Sequence, residues 1–222
     1  MRLGGFVLGE ILVIEMLLIR HSLLIIIFLI PTSSFGQDQV SIRVHFLYGS
    51  KPVSKYKDTE PKWFGGKWGG HVGIEVDSGQ ILNFVPRGKF HIFSKHGDKH
   101  SAFVLSSTHS FYSIFTTDDP SIKKAIIQIP ISKRQKQLLD SIARQYVDTT
   151  PYDYAFFGMR CGSAAYEILG QIKILPGYSV RKIARRIFYP KRLRKRLFKL
   201  AETNNWIVFR EDGSSHRKWE KD

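Results

Sequence analysis

His71-Val72-Gly73-Ile74-Glu75-Val76-Asp77-Ser78-Gly79-Gln80-Ile81-Leu82-Asn83-Phe84-Val85 is the stretch whose reading decides the fold. Val72, Ile74 and Val76 alternate with His71, Gly73 and Glu75, the two-residue period of a strand with one face buried. Asp77-Ser78-Gly79 interrupts the run, and the stretch from Gln80 to Val85 reads as a second strand. Gly79 suits the left-handed position that ends a three-residue hairpin loop. With that loop Val76 pairs with Gln80, Gly73 with Asn83 and His71 with Val85. His71 and Asn83 then share one face, diagonal to each other, with Gly73 leaving space between them. A slip of one residue would put them on opposite faces.

Working outward, Val40, Ile42, Val44 and Phe46 alternate with Ser41, Arg43, His45 and Leu47, which predicts a preceding strand. Residues 48–67 are polar and rich in Gly, Pro and Lys, and read as a loop. Its end carries Trp63 and Trp68 among glycines, placed either to line a cleft beside His71 or to tuck under the sheet edge. Further strands are expected over residues 89–93, 101–106 and 125–131. Ser132 and Gln135 have the capping-box spacing, and Leu138, Leu139, Ile142 and Tyr146 make the apolar stripe of the helix they start. A second helix begins at Arg160 or Cys161, with Cys161, Ala164, Ala165, Ile168 and Leu169 inward and Gly170 as terminator.

At the other end, Arg20 and His21 precede an unbroken apolar run from Leu23 to Ile30, then Pro31-Thr32-Ser33-Ser34-Phe35-Gly36. Charged, apolar and small-residue regions in that order are those of a secretory signal over residues 1–36, with Met16 as an alternative start. The run is short for a spanning helix, although an uncleaved anchor is the other reading. An exported chain with one cysteine has no internal disulfide. No cysteine follows the apolar run to carry a lipid.

Cys161 is therefore a buried small hydrophobe or a working thiol. A thiol becomes a good nucleophile when a helix N-terminus, a cation or an imidazolium favours the thiolate. The expected first turn of the helix and Arg160 supply the first two, and His71 supplies the third if the helix packs on the hairpin. Asn83 would then hold the imidazole, and free N–H groups at the helix start would meet an oxyanion. Glu75, on the face of His71, is the reserve for Asn83. Tyr152 and Tyr154 either add an oxyanion donor or pack beneath the helix.

The strand beginning His71-Val72-Gly73-Ile74, the polar Asn83 twelve positions on, and the later Arg160-Cys161-Gly162-Ser163-Ala164-Ala165-Tyr166 resemble the circularly permuted papain-like families. These include the permuted NlpC-type peptidases and the lecithin retinol acyltransferase group. The resemblance covers residues 40 to about 170. It implies acyl transfer through a thioester on Cys161, with His71 as base and Asn83 as orienter. Position 83 is asparagine where the acyltransferases commonly have histidine, and Arg160 stands where asparagine or aspartate is usual. Tyr154, Arg160 and Trp68 are the expected substrate contacts.

From Ile172 onward there are 15 Lys and Arg against 5 Asp and Glu, the larger share of the formal charge of +15. In an exported protein this excess points away from nucleic acid and towards an anionic envelope polymer or membrane surface, met by Arg181, Arg185, Arg192 and Lys195. The alternative is a solvated helical pair packed through Ile183, Ile187 and Leu193. His91, His96, Asp98 and His100 have spacings a zinc site uses, but no cysteine pair or His-Glu-x-x-His accompanies them, so neither metal nor cofactor is expected.

The expected architecture is α+β: a small antiparallel sheet with helices on one side, permuted papain-like over residues 37–171, then a basic helical extension over 172–222. The expected activity is hydrolysis of amide or ester bonds in cell-envelope material. A lipid acyltransferase or phospholipase of the same fold, and an envelope-binding module without catalysis, are the alternatives.

Overall fold

The computed structural model describes residues 40–59, 70–88, 91–113 and 122–222. The signal segment, the Trp63 to Trp68 loop and the start of the strand expected at 89 lie outside the described residues. Among the described residues no helix is long and apolar enough to cross a membrane.

The structure is mixed α+β, built on a six-stranded antiparallel sheet. In chain order its strands are β1 (Val40–Leu47), β3 (His71–Asp77), β4 (Gln80–Pro86), β6 (Ser101–Ser107), β7 (Lys124–Ile131) and β9 (Ile207–Glu211). They lie in the spatial order β6-β4-β3-β1-β7-β9. Two small ribbons flank it. β2 (Ser50–Pro52) pairs with β10 (Arg217–Trp219), and β5 (His91–Phe93) pairs in parallel with β8 (Ala155–Phe157). The described helices are α1 (Thr108–Tyr112), α2 (Lys133–Asp148), α3 (Cys161–Gln171), α4 (Val180–Arg186) and α5 (Pro190–Asn204).

In the central hairpin Gly73 pairs with Asn83, Ile74 with Leu82 and Glu75 with Ile81, the register expected from the alternation. The turn differs. The ladder shifts between Glu75 and Asp77, so Gln80 pairs with Asp77 rather than Val76, and the turn is Ser78-Gly79. Glu75 Oε1 accepts the Gly79 N–H at 3.1 Å, drawing the turn back over its own strand. Gly79 has φ +74°, which an L side chain adopts only at a cost.

One face of the sheet carries the main core. Val44, Phe46, Val72, Ile74, Leu82, Phe84, Ile127 and Ile129 meet Leu139, Ile142 and Tyr146 of α2 and Ala164, Ala165, Ile168 and Leu169 of α3. Ser132 caps α2 as its spacing predicts, with both halves of the capping box made. Leu138, expected in the stripe, is exposed instead, because the inward face runs through Leu139, Ile142, Ala143 and Tyr146. α3 continues one residue past Gly170, which therefore does not terminate it. Helices are not confined to one side. α1 covers part of the opposite face, where Phe111 and Tyr112 pack with Leu47, Ile81 and Ile122. That cover buries His45 and Leu47, which simple alternation places towards solvent.

The residues beyond Ile172 contribute Ile183, Ile187, Leu193, Leu197 and Phe198 to the same core. They are not wholly helical, for β9 extends the sheet beside β7 and β10 closes on β2. Arg194 of α5 is fully buried, donating to Glu220 at 2.8 Å and Asp222 at 2.9 Å with its guanidinium 3.6 Å from the Tyr48 ring centroid. Tyr48 Oη also donates to Asp222 at 2.7 Å. Taking a charge out of water costs several kcal/mol, and here two carboxylates and an aromatic face offset it. Arg194→Ala strands the buried Glu220 and is expected to destabilise the fold by about 3–5 kcal/mol. Urea denaturation checks this: the midpoint falls while the slope holds, and an unchanged midpoint refutes the assigned role.

Candidate functional site

β3, β4 and α3 bring three side chains together. His71 is the first residue of β3, Asn83 sits mid-way along β4, and Cys161 is the first residue of α3. Each is almost wholly buried, Cys161 and His71 at 4% exposure and Asn83 at 2%. His71 Nε2 lies 3.0 Å from Asn83 Oδ1. The amide orientation follows from its other partners. Asn83 Nδ2 donates to the Ile81 carbonyl at 3.2 Å, the Val104 carbonyl at 3.3 Å and Ser106 Oγ at 3.0 Å. The amide oxygen is thus turned to the imidazole, and Nε2 must carry the proton it donates. That leaves Nδ1 for the hydrogen bond between His71 and Cys161.

The electrostatics of this pair favour charge separation. Burial raises the Cys161 pKa, but the His71 charge, its hydrogen bond, the Arg160 cation and the Tyr154 hydrogen bond outweigh it, and the thiol lies below its ordinary value. For His71 burial acts to lower the pKa, and the Cys161 charge with the bonds to Cys161 and Asn83 raises it above the usual value. The two shifts run towards each other, so each partner favours the charged form of the other.

The start of α3 is built for this. Ser163 Oγ accepts the Arg160 N–H at 2.7 Å and donates to the Arg160 carbonyl at 2.9 Å, which fixes the entry turn. Ala164 N–H makes the first helical bond, to the Arg160 carbonyl at 2.8 Å, so the amides of Cys161 and Gly162 precede the hydrogen-bonded turns. A Cβ on Gly162 would lie 2.9 Å from Pro190 N, and glycine there lets the start of α5 approach. Arg160 is held among Phe188, Tyr189 and Phe156, 4.7, 5.3 and 5.4 Å from its guanidinium. Its buried Nη1 has no hydrogen-bond partner among the described residues. Tyr154 Oη points its donor at Cys161 Sγ across 4.0 Å, whereas Tyr152 packs against Phe84 and Phe103.

Glu75 is not brought to His71. Its carboxylate binds His45 Nε2 at 3.1 Å, and His45 Nδ1 meets Tyr112 Oη at 2.6 Å. The space over Gly73 is filled by Phe111, whose ring centroid lies 5.4 Å from that of His71; a Cβ on Gly73 would come within 2.8 Å of it. His45, Phe111 and Tyr112 were not anticipated, since only the return of α1 over the sheet brings them close. Trp68 lies outside the described residues.

A cavity of about 1140 Å³ is lined by residues 157–159 together with residues of α4 and the start of α5. Phe93, Phe157, Phe188 and Tyr189 make aromatic walls, Glu167 lies in its lining, and Arg181, Arg185 and Arg192 are exposed around it. Lys195 is exposed on α5 but does not line it. Cys161, His71 and Asn83 do not line it either; Met159, two residues before the thiol, is the nearest in sequence.

The single cysteine makes the ionisation directly measurable. Thiolate absorbance near ~240 nm, taken against Cys161→Ser, is expected to titrate below the free-thiol value of about 8.5. Its midpoint should rise in His71→Ala and, by less, in Asn83→Ala. A midpoint at the free value and indifferent to His71 would leave the thiol as packing. Compared with protein-family models, with curated proteins and with solved structures, the chain gives no match.

Proposed function

We propose that the protein is an exported cysteine hydrolase of amide or ester bonds in cell-envelope material, such as peptidoglycan stem peptides, on a circularly permuted papain-like arrangement. The observation that carries this reading is the buried chain Cys161–His71–Asn83 at the start of α3. The Cys161 thiolate attacks the acyl carbon, the C–S bond forms and the carbonyl electron pair moves to oxygen. Backbone N–H groups at the helix start and the Tyr154 hydroxyl donate to that oxyanion. His71 gives its proton to the leaving amine or alcohol as the acyl bond breaks. It then takes a proton from water, whose oxygen attacks the thioester; the acid departs and the thiolate is restored. Arg160 Nη1 is a donor for a substrate carboxylate, the group a stem peptide offers.

The cavity favours a second reading, a lipid acyltransferase or phospholipase. Aromatic walls with arginines around them fit an anionic amphiphile better than a polar peptide.

Incubating the full chain with muropeptides and, separately, with anionic phospholipid vesicles tests both. Release from muropeptides, lost in Cys161→Ala and lowered about 10²-fold in kcat in Tyr154→Phe, is the expected result. Release from phospholipid alone moves the assignment to the lipid reading. Binding without turnover of either, equal in wild type and Cys161→Ala, overturns the catalytic proposal in favour of a binding module.

A further inference from the structure

His91 opens β5, and the loop from β5 to β6 carries Asp98 and His100 near its exit. One ligand atom from each of these three residues lies within 4.8 Å of the others. His96, which shares the sequence spacing, is not part of the group. The cluster is braced from beneath by Asp153, a carboxylate only 1% exposed. Asp153 accepts His91 Nδ1 at 2.6 Å and the backbone N–H groups of Lys95 and His100, each at 3.0 Å. One buried side chain therefore holds both arms of the loop and one of the rings.

The hydrogen bond to Asp153 orients the His91 ring. That bond occupies Nδ1 and leaves Nε2 as the ring atom able to ligate a metal. A histidine whose second ring nitrogen is bound by a carboxylate is the arrangement that orients imidazole ligands at metal centres. His100 stacks on His91 with ring centroids 4.4 Å apart, and its Nε2 lies 3.1 Å from Asp98 Oδ1.

We propose that His91, Asp98 and His100 bind a divalent zinc-like cation, with Asp153 as the residue that positions His91. Two imidazoles and one carboxylate suit Zn²⁺ among the biological divalent ions, and three protein ligands leave a fourth position for water or an anionic ligand. Tetrahedral bonds of about 2.0–2.2 Å place ligand atoms roughly 3.4 Å apart, so the group must close by about an ångström. Asp98 and His100, with side chains 65% and 40% exposed, have room to move, while His91 stays fixed. The site stands at the edge of the large cavity, whose lining includes Ser94, Lys95, Lys99 and Asp153, so a bound cation adds to the positive charge there.

The test is calorimetric titration of ZnCl₂ into the full chain bearing Cys161→Ser, which removes the thiol as a competing ligand, with no histidine tag. One equivalent of zinc is expected, and Co²⁺ in its place should give the visible bands of a tetrahedral ion. Asp98→Asn and His100→Gln change exposed side chains and should each weaken binding more than about tenfold; Asp153→Asn, acting through His91, should weaken it about 10–100-fold. Absence of saturable binding, or binding that survives Asp98→Asn and His100→Gln combined, overturns the proposal whether or not Asp153→Asn folds.

Discussion

The pairing of Gly73 with Asn83 is the constraint on which the site depends. Side chains of a strand alternate, so this single pairing decides whether Asn83 meets the imidazole of His71 or turns away from it. Several local features hold it. Gly79 takes the left-handed turn position, Glu75 ties that turn back to β3, and Asn83 itself bonds to the backbone of β4 and to Ser106 on β6. The orienting residue is thus fixed by the neighbouring strand, and the orientation it passes to His71 is fixed with it.

Burial and pairing act against each other at Cys161, and magnitudes show why the pair needs help. Full burial can raise a thiol or depress an imidazole by about 3–5 pK units. Opposite charges about 4 Å apart attract by about 4 kcal/mol at an effective dielectric constant of 20, roughly three pK units. Those terms nearly cancel. The further contributions then tip the balance: first the hydrogen bond between the two side chains, then the Arg160 cation and the Tyr154 hydroxyl at the thiol and the Asn83 amide at the imidazole. Arg160 can act because three aromatic rings hold its guanidinium near the thiol rather than in water.

The central hairpin was legible in the sequence because alternation and a turn glycine are local signals. The same holds for the capped start of α2 and for Cys161 opening α3, both read from side-chain period and spacing. The interruption between Glu75 and Asp77 was not legible, since it depends on where Glu75 finds a donor. Nor were β2, β8 and β10, which are three residues each and exist only through partners far away in the chain. His45 lies on a face that alternation assigns to solvent, and only α1 makes it interior. Asp153 gives no sequence signal, because its role comes from the meeting of β5 with β8.

The C-terminal region shows how one amphipathic segment serves two demands. Helical period sends Leu193, Leu197 and Phe198 into the core and leaves Arg192 and Lys195 outside. Arg194 breaks that pattern, and a buried arginine in the wrong register would be ruinous. It is tolerated because the chain returns through β9 and β10 to bring Glu220 and Asp222 to it. The two carboxylates fix where the stretch after β10 lies, and α5 is held with it. Pro190 then presses on Gly162, and Tyr189 on Arg160, at the first turn of the helix that carries Cys161. The basic region is therefore part of the support for the thiol, and its exposed arginines stand around a cavity that its own aromatic residues help to wall.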